Sequence, residues 1–226
     1  MTSITMLVAN RPRLLKQALD SIGDLSQANL TIRDCWMNKE VSLIARAFGD
    51  ENVAYCPIKE PTGTGKARNQ VIQISERTFG RGDYLYLSDD DVFFTRPDWL
   101  KVLIECYEQS QNYGVAAVGA YNHPFNCPNL PPIAGGVSEV YALSSQSMLM
   151  RWEVWDRFGP FCDTPAGKVC QSEDVDFSNR IRAAGFKVGV VSPALLVNCG
   201  ITNSFGEKIP GWEAVKAQCP EGVLCE

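Results

Sequence analysis

The chain has 226 residues, a formal net charge of −5, and a composition that is 45% hydrophobic and 21% charged. This balance is typical of a globular protein with a sizeable core, and the acidity argues against attachment to nucleic acid mainly by bulk charge. No stretch approaches the roughly 18 consecutive apolar residues of a membrane span. The N-terminus lacks the basic region and long apolar core of a signal peptide. These features favour a cytoplasmic location.

Nine cysteines are present, without a Cys-x-x-Cys pair. Cys35, Cys56 and Cys106 lie in apolar sequence, where a thiol serves as a small buried side chain. The other six lie in loop-like sequence of the second half: Cys127, Cys162, Cys170, Cys199, Cys219 and Cys225. Because their spacing is not that of zinc ligands and His123 is the only histidine, we expect reduced thiols in place of a zinc site.

The first half of the chain alternates between strands and helices. An apolar strand at 3–9 precedes a helix with Pro12 in its first turn and Gly23 at its end. The next predicted elements are a strand at 30–37, a helix at 41–48, the strand "NVAYCPI", a helix after "TGTG" with Ala67, Val71, Ile74 and Thr78 on one face, the strand "DYLYLS", a helix after Pro97 and the strand "YGVAAVGAY". This alternation predicts a parallel α/β sheet, in which ligands bind at the carboxyl ends of the strands.

The second half is less regular. A proline- and glycine-rich loop at 122–136 precedes the strand-like segment "VSEVYALSSQSMLMR" and a short helix at 152–158. A further helix in "SEDVDFSNRIRAAGF" is predicted to be capped by Ser172 and to turn Phe177, Ile181 and Ala184 towards the core. The segment "KVGVV" forms the last predicted strand.

Three consecutive aspartates, Asp89, Asp90 and Asp91, end the strand in "YLYLSDDDVFF". A solvated turn is one interpretation. A phosphatase nucleophile motif of the haloacid-dehalogenase type is another, but Phe93 stands where that motif has threonine or valine. A third is a site where a divalent cation, Mn²⁺ or Mg²⁺, bridges carboxylate and phosphate oxygens. Folding alone does not call for three adjacent like charges, so we favour the cation site and expect a partner outside the chain to neutralise them.

A second acidic segment opens the helix in "SEDVDFSNRIRAAGF". Glu173 and Asp174 could simply stabilise the positive end of that helix, and Asp176 could pair with Arg180 at i,i+4. Considered together with the aspartate triplet, Glu173 and Asp174 instead favour a functional role in the same site as the triplet.

Five segments occur together in a characteristic order: "VANRPRLLKQALDSI", "GTGKARNQVI", "YLYLSDDDVFF", "SMLMRWEVWDRFGPF" and "SEDVDFSNRIRAAGF". In this order they resemble family-two glycosyltransferases of the GT-A fold, over about 3–191. The resemblance implies an α/β fold with a central, mostly parallel sheet. It also implies one domain over 1–226, with a nucleotide-sugar-binding half at 1–95 and an acceptor-binding half at 96–226.

The same resemblance implies inverting transfer of a hexose from a nucleoside diphosphate sugar, such as UDP-glucose, to a hydroxyl acceptor. By motif position, Asp91 and Asp89 would bind the metal, Asp89 would also reach the ribose, Asp174 would be the general base, and Glu173 would lie at the acceptor edge. The implied nucleotide-binding residues are Asn10, Arg11, Asn38, Lys66, Arg68 and Asp89.

Two positions depart from the family pattern. Asn38 lies in "DCWMNKE", where the family usually has an Asp-Asp or Asp-Gly turn for the nucleobase, and Asn198 stands where many members have a metal-binding histidine. A nucleotide-sugar-binding module without turnover is therefore the alternative function. The aromatic side chains Trp152, Trp155, Trp212 and Tyr121 are open to stacking on an acceptor or to core packing, the acceptor class is open, and a homodimer is allowed.

Overall fold

The computed structural model describes residues 1–49, 51–58, 63–121, 132–163 and 173–201, with 208, 213, 216–217 and 219–225 near the C-terminus. Its helices are α1 (Pro12–Ile22), α2 (Lys39–Phe48), α3 (Thr64–Phe79), α4 (Trp99–Gln111), α5 (Trp152–Phe158) and α6 (Glu173–Ala183). Its strands are β1 (Thr2–Val8), β2 (Ala28–Asp34), β3 (Val53–Pro57), β4 (Tyr84–Asp89), β5 (Val92–Phe94), β6 (Val115–Gly119), β7 (Pro132–Ala134), β8 (Val137–Glu139), β9 (Ser147–Arg151), β10 (Lys187–Val191) and β11 (Leu196–Asn198).

A nine-stranded sheet forms the centre, with strand order β3-β2-β1-β4-β9-β6-β10-β8-β7. Parallel pairing joins β3 to β2, β2 to β1, β1 to β4, and β6 to β10. Strand β9 is antiparallel to both β4 and β6, and β8 is antiparallel to β10. A separate antiparallel pair joins β5 to β11. The predicted α/β fold with a mostly parallel central sheet is confirmed.

The sheet is covered by a core on each face. Along β4, Leu85 and Leu87 face one hydrophobic cluster while Tyr86 faces the other, as the alternation of side chains along a strand requires. Along β9, Leu149 joins the cluster of Tyr86, together with Ile4 of β1. Residues from both halves of the chain therefore share one core. Among the described helices, none combines the length and apolar character that a membrane span needs.

The first turn after the sheet's second strand differs from the prediction. Strand β2 ends at Asp34 because its carboxylate accepts the backbone N–H of Trp36 at 2.8 Å, which turns the chain. Met37 follows with a φ of 53°, a backbone conformation that side chains other than glycine rarely adopt. The loop that contains Asn38, which the family resemblance assigns to the nucleobase, therefore starts earlier in the chain than the sequence predicted.

Other elements also differ from the predictions. The segment "VSEVYALSSQSMLMR" forms two strands, β8 and β9, because Ser147 N–H donates to the Ser144 carbonyl and closes a turn between them. Ala184 is exposed, so the prediction that it faces the core is wrong, and Thr78 is exposed at the end of the face on which Ala67 and Val71 are buried. The predicted features at Ser172, His123, Trp212, Cys127 and Cys170 lie outside the described residues.

The cysteines also correct a prediction. Cys219 and Cys225 form a disulfide, so the expectation of reduced thiols is wrong for this pair. Among the described residues Cys35, Cys56, Cys106 and Cys199 carry free thiols. A bond between sulfurs only six residues apart depends on how the C-terminal loop folds back, which spacing alone does not reveal.

Aromatic side chains of the second half serve the core. Tyr121 and Trp152 are buried. Trp155 packs against Phe161 and Phe177, with ring centroids 5.4 and 6.1 Å apart. The structure therefore favours core packing over acceptor stacking for Tyr121, Trp152 and Trp155.

Candidate functional site

The aspartate triplet meets the start of α1 because β1 and β4 are parallel neighbours whose carboxyl ends lie side by side. Arg11 follows β1, and its Nη2 lies 2.5 Å from Asp90 Oδ1 while its Nη1 lies 2.8 Å from Asp91 Oδ2. The backbone N–H of Ala9 donates to the other oxygen of Asp90 at 2.9 Å. Asp90, which motif reasoning assigned no role, thus fastens the β1–α1 loop to the end of β4.

The third carboxylate has its own counter-ion. Arg68, fully buried on α3, donates from Nη2 to Asp89 Oδ1 at 2.5 Å and from Nη1 to the Ser88 carbonyl at 2.7 Å. The chain therefore supplies part of the neutralisation that we expected from a partner outside it. The compensating arginines were not visible as partners because both are distant in sequence, and only the fold brings them to the triplet.

Burial changes the acid–base chemistry of this cluster. It raises the pKa of Asp89 to about 6 and that of Asp90 to about 7, against the opposing effect of the nearest arginine in each case. Neighbouring Asp91 adds to both upward shifts through charge repulsion. The arginines therefore offset only part of the cost of holding several carboxylates together.

The structure gives the contacts or the burial of each residue in the Gly-Lys-Ala-Arg-Asn segment of α3. A Cβ at Gly65 would lie 2.1 Å from the carbonyl oxygen of Cys162, so only glycine allows this close approach. Asn69 exchanges two 2.9 Å hydrogen bonds with the backbone of Phe161. Ala67 is buried and Lys66 is exposed. The segment thus joins α3 both to the aspartates, through Arg68, and to the loop after α5.

The second acidic segment lies at the start of α6 and is held by Ser145. The Ser145 hydroxyl donates to Glu173 Oε1 at 3.0 Å, and its backbone N–H donates to Asp174 Oδ2 at 3.2 Å. Burial, and then repulsion by Asp174, raise the pKa of Glu173. The charges of Glu173 and Asp89 also interact, which adds to the raised pKa of Asp89. Glu173 therefore lies within electrostatic reach of Asp89.

Asp91 has an environment suited to a cation. Its Oδ1 is buried and has no hydrogen-bond partner among the described residues. Its carbonyl accepts the N–H of Cys199 at 2.6 Å, and a Cβ at Gly200 would lie 2.1 Å from Oδ2. An unpartnered carboxylate oxygen is the ligand type that Mn²⁺ and Mg²⁺ prefer. The residues present therefore fit the predicted cation.

Asn198, the predicted replacement for a metal-binding histidine, is buried beside this site. Its amide oxygen accepts the N–H of Gly200 at 2.7 Å, and its amide nitrogen donates to Gln146 Oε1 at 2.8 Å. These bonds hold the side chain of Asn198, and the next residue, Cys199, joins the end of β11 to the Asp91 carbonyl. An amide oxygen has a second lone pair, so metal ligation by Asn198 stays a prediction.

The loops after β1 and β2 form a rim next to the aspartates. Asn38 Nδ2 donates to Asn10 Oδ1 at 2.6 Å, while Asn38 Oδ1 accepts the first N–H groups of α2. Trp36, which motif matching passed over, is 47% exposed on the same loop. Its position inside the predicted strand at 30–37 gave no sign that it lies on a loop. Asn10 and Asn38 therefore order the rim by binding each other.

No protein-family model and no curated protein matches the chain. Solved structures do resemble it. The mannosyltransferase PcManGT from Pyrobaculum calidifontis, in complex with GDP-Man and Mn²⁺, is 14% identical, with a TM-score of 0.65 over 96% of this chain and 61% of that one. GalNAc-T7 with UDP, GalNAc and Mn²⁺ is 14% identical, with a TM-score of 0.62 over 84% of this chain and 42% of that one.

A third similar structure is glucosyl-3-phosphoglycerate synthase from Mycobacterium tuberculosis in complex with Mn²⁺, UDP and phosphoglyceric acid. It is 14% identical, with a TM-score of 0.58 over 88% of this chain and 70% of that one. The chain spans less than two thirds of the length of the first two structures. At this identity the likeness concerns the fold: the chain has the GT-A fold of nucleotide-sugar glycosyltransferases.

Proposed function

We propose that the chain is a glycosyltransferase that moves a hexose from a nucleoside diphosphate sugar to a hydroxyl group of an acceptor, with inversion. One observation carries this proposal: the triplet at the carboxyl end of β4 has an unpartnered oxygen, Asp91 Oδ1, and lies within electrostatic reach of Glu173, which opens α6. In open α/β sheets this end of the strands is where ligands bind. The three similar structures contain a nucleotide or nucleotide sugar together with Mn²⁺, which supports the same assignment here.

On the donor side, Asp91 and Asp89 would hold Mn²⁺ or Mg²⁺, with Asn198 as a further ligand. A cation bound there would neutralise negative charge on the departing diphosphate. Asp91 contributes a buried oxygen, and Asp89 is 20% exposed, so its carboxylate also reaches the ribose in this proposal.

The nucleotide would lie along the rim formed by Asn10 and Asn38. Exposed Lys66 supplies a mobile positive charge for phosphate, while Arg68 acts by holding Asp89 in place. Trp36 adds an aromatic surface beside the rim on which a nucleobase can stack. Uridine is the base we propose, and UDP-glucose or a similar sugar is the donor.

On the acceptor side, Asp174 would accept the proton of the attacking hydroxyl group. Ser145 orients this carboxylate, and Val175 N–H holds its other oxygen at 2.8 Å. Glu173, with a raised pKa, lies at the acceptor edge and is the second candidate for the base. A hydroxyl attack from the face opposite the diphosphate inverts the anomeric centre.

The contact of Arg11 with Asp91 favours a second candidate function. Its guanidinium already occupies Asp91 Oδ2, so a chain that keeps this contact would bind the cation weakly. Such a chain would be a nucleotide-sugar-binding module without turnover. The acceptor class stays open. A cytoplasmic location, a homodimer and the division at 95 into two functional halves stay predictions.

A thermal-shift screen of nucleoside diphosphates, with and without Mn²⁺, tests both candidates. A ligand that binds only the folded chain at a hundredfold excess over Kd adds about 2.7 kcal/mol of stability. Slow release of hexose from UDP-glucose that depends on Mn²⁺ supports the enzyme. Strong nucleotide binding with no hydrolysis and no transfer to a broad acceptor panel supports the module, and the absence of any nucleotide-dependent shift contradicts both.

A further inference from the structure

A group of three cysteine sulfurs lies behind the candidate site. The Sγ atoms of Cys199, Cys219 and Cys225 are all within 4.8 Å of one another. Cys219 and Cys225 are joined as a disulfide, whereas Cys199 is a free and fully buried thiol. None of the three sulfurs has a role in the pairing of the strands or in the proposed transfer chemistry. We refer to Cys199, Cys219 and Cys225 as the sulfur cluster.

The fold positions the members of the sulfur cluster through separate contacts. Cys199 directly follows β11, and its N–H binds the Asp91 carbonyl. The loop that carries Cys219 and Cys225 is held against α1, since Gln17 Nε2 donates to the Leu224 carbonyl at 3.0 Å and Gln17 Oε1 accepts Leu224 N–H at 2.7 Å. The disulfide does not explain why Cys199 lies beside the other two sulfurs. Cys199 is placed there by its position directly after β11 and by its backbone hydrogen bond to Asp91.

Three sulfurs gathered this closely suit a thiophilic metal ion once the disulfide is opened. Tetrahedral zinc with bonds of about 2.3 Å to sulfur places its sulfur ligands roughly 3.8 Å apart. Cys199 Sγ lies within 4.8 Å of the other two sulfurs, and after reduction the Cys219 and Cys225 sulfurs would separate to reach the zinc spacing. Thiolates select zinc-type ions, whereas carboxylate oxygens select Mn²⁺ and Mg²⁺. The sulfur cluster and Asp91 therefore differ in the ions they would bind, although Cys199 adjoins both.

We propose that, when the disulfide is reduced, the three thiolates of the sulfur cluster bind one zinc-type ion. In vitro a phosphine reduces the bond: it takes oxygen from water to become a phosphine oxide, and the S–S bond breaks into two thiols. The three thiols then release three protons as they bind Zn²⁺. The chain thus has two alternative closures for its C-terminal loop, a disulfide or a metal ion. This inference does not rest on the proposed function.

The experiment uses the full chain, reduced with a phosphine, cleared of metal with a chelator and then titrated with Zn²⁺. Native mass spectrometry should show about one zinc ion per reduced chain and none in the oxidised chain. Zinc should also raise the melting temperature of the reduced chain. In Cys199→Ser, zinc affinity should fall by more than about 100-fold, because loss of even an outer partner of a metal ligand costs about 10–100-fold.

Cys106→Ser is the matched control, because Cys106 is a free, half-buried thiol on α4, outside the sulfur cluster. It should keep the zinc stoichiometry and affinity of the natural chain. Circular dichroism of each reduced variant establishes that it is folded. The proposal is overturned by a folded reduced chain that binds no zinc, or by Cys199→Ser binding zinc as tightly as Cys106→Ser. It is equally overturned if peptide mapping finds only a bond from Cys199 to Cys219 or Cys225, since the cluster would then serve disulfide exchange.

Discussion

At the scale of single residues, two arginines of the chain offset part of the negative charge of the candidate site, and they do so from two directions. Arg11 reaches Asp90 and Asp91 from the loop after β1, and Arg68 reaches Asp89 from α3. Among the carboxylate oxygens of the described residues, Asp91 Oδ1 is the buried one that has no hydrogen-bond partner. A cation would complete this arrangement at a single atom, so that atom is the place to test.

Asp91→Ala should abolish the Mn²⁺-dependent part of nucleoside diphosphate binding, because it removes the buried ligand oxygen. Asp174→Asn should leave that binding nearly unchanged and slow transfer by about 10²–10⁴-fold, the usual contribution of a positioned base. Calorimetric titration of UDP with and without Mn²⁺ measures the first effect, and single-turnover kinetics measure the second. Equal loss of nucleotide affinity in the two variants would contradict the proposed division of roles.

Arg11→Met should lower the free energy of unfolding by about 3–5 kcal/mol, because it leaves buried carboxylates without their counter-ion. If the cation and the guanidinium compete for Asp91, Mn²⁺ should stabilise this variant more than it stabilises the natural chain. Urea denaturation with and without Mn²⁺ measures both effects. Lys16→Met, which removes an exposed partner of Asp20 on α1, is the control and should change stability little. An Mn²⁺ effect equal in the natural chain and in Arg11→Met would rule out competition.

At the scale of secondary structure elements, α3 contacts the aspartate triplet and also the loop that precedes the acidic segment of α6. Its face towards the sheet carries Arg68, and its first turn approaches the backbone after α5 through Gly65. Asn69 closes the same contact with two hydrogen bonds to Phe161. The position of Asp89 relative to α6 therefore depends on how closely α3 fits against this loop.

Gly65→Ala tests that fit. Within a helix, alanine is favoured over glycine by about 1 kcal/mol, so intrinsic propensity predicts a more stable chain. The added Cβ would meet the Cys162 carbonyl at 2.1 Å, however, and overpacking of this kind costs about 1–3 kcal/mol. We expect the steric clash to outweigh the gain in helix propensity. The free energy of unfolding and the nucleotide affinity should therefore both fall. Thr64→Ala, at the exposed neighbouring position, is the control for propensity; a Gly65→Ala chain more stable than the natural one would contradict the close contact.

The elements also indicate how far sequence patterns reach. The amphipathic stripe of α1 and the apolar run of β4 are properties of consecutive residues, so the pattern predicted both. The strands β5 and β11 have three residues each and exist because they pair with each other across about a hundred residues of sequence, which no local period encodes. The ion-pair partners of the aspartates were likewise not predicted, because they are distant from the aspartates in sequence. Motif order predicted which residues form the site, whereas the ion pairs of Arg11 and Arg68 became visible only in the fold.

At the scale of the whole molecule, the two proposed functional halves are structurally interdependent. Strand β4, which ends the first half, has its outer edge covered by β9 from the second half. Likewise β5 is paired with β11. Leu149 of β9 lies in the same buried cluster as Ile4 and Tyr86. A functional division near residue 95 would therefore not be a division into separately folding units.

This interdependence predicts one cooperative unfolding transition for the chain. Leu149→Ala should lower the free energy of unfolding by about 2–5 kcal/mol, because it opens a cavity where residues of both halves meet. Far-ultraviolet circular dichroism and tryptophan fluorescence should give coincident urea transitions, shifted together in the variant. Leu43→Ala is the control, since Leu43 is 60% exposed on α2 and its loss should change stability by no more than about 0.5 kcal/mol. Residues 1–95 expressed alone should stay unfolded, because β4 would expose its edge and an apolar face. Two separate transitions, with Leu149→Ala moving only one of them, would instead assign the halves to independent domains.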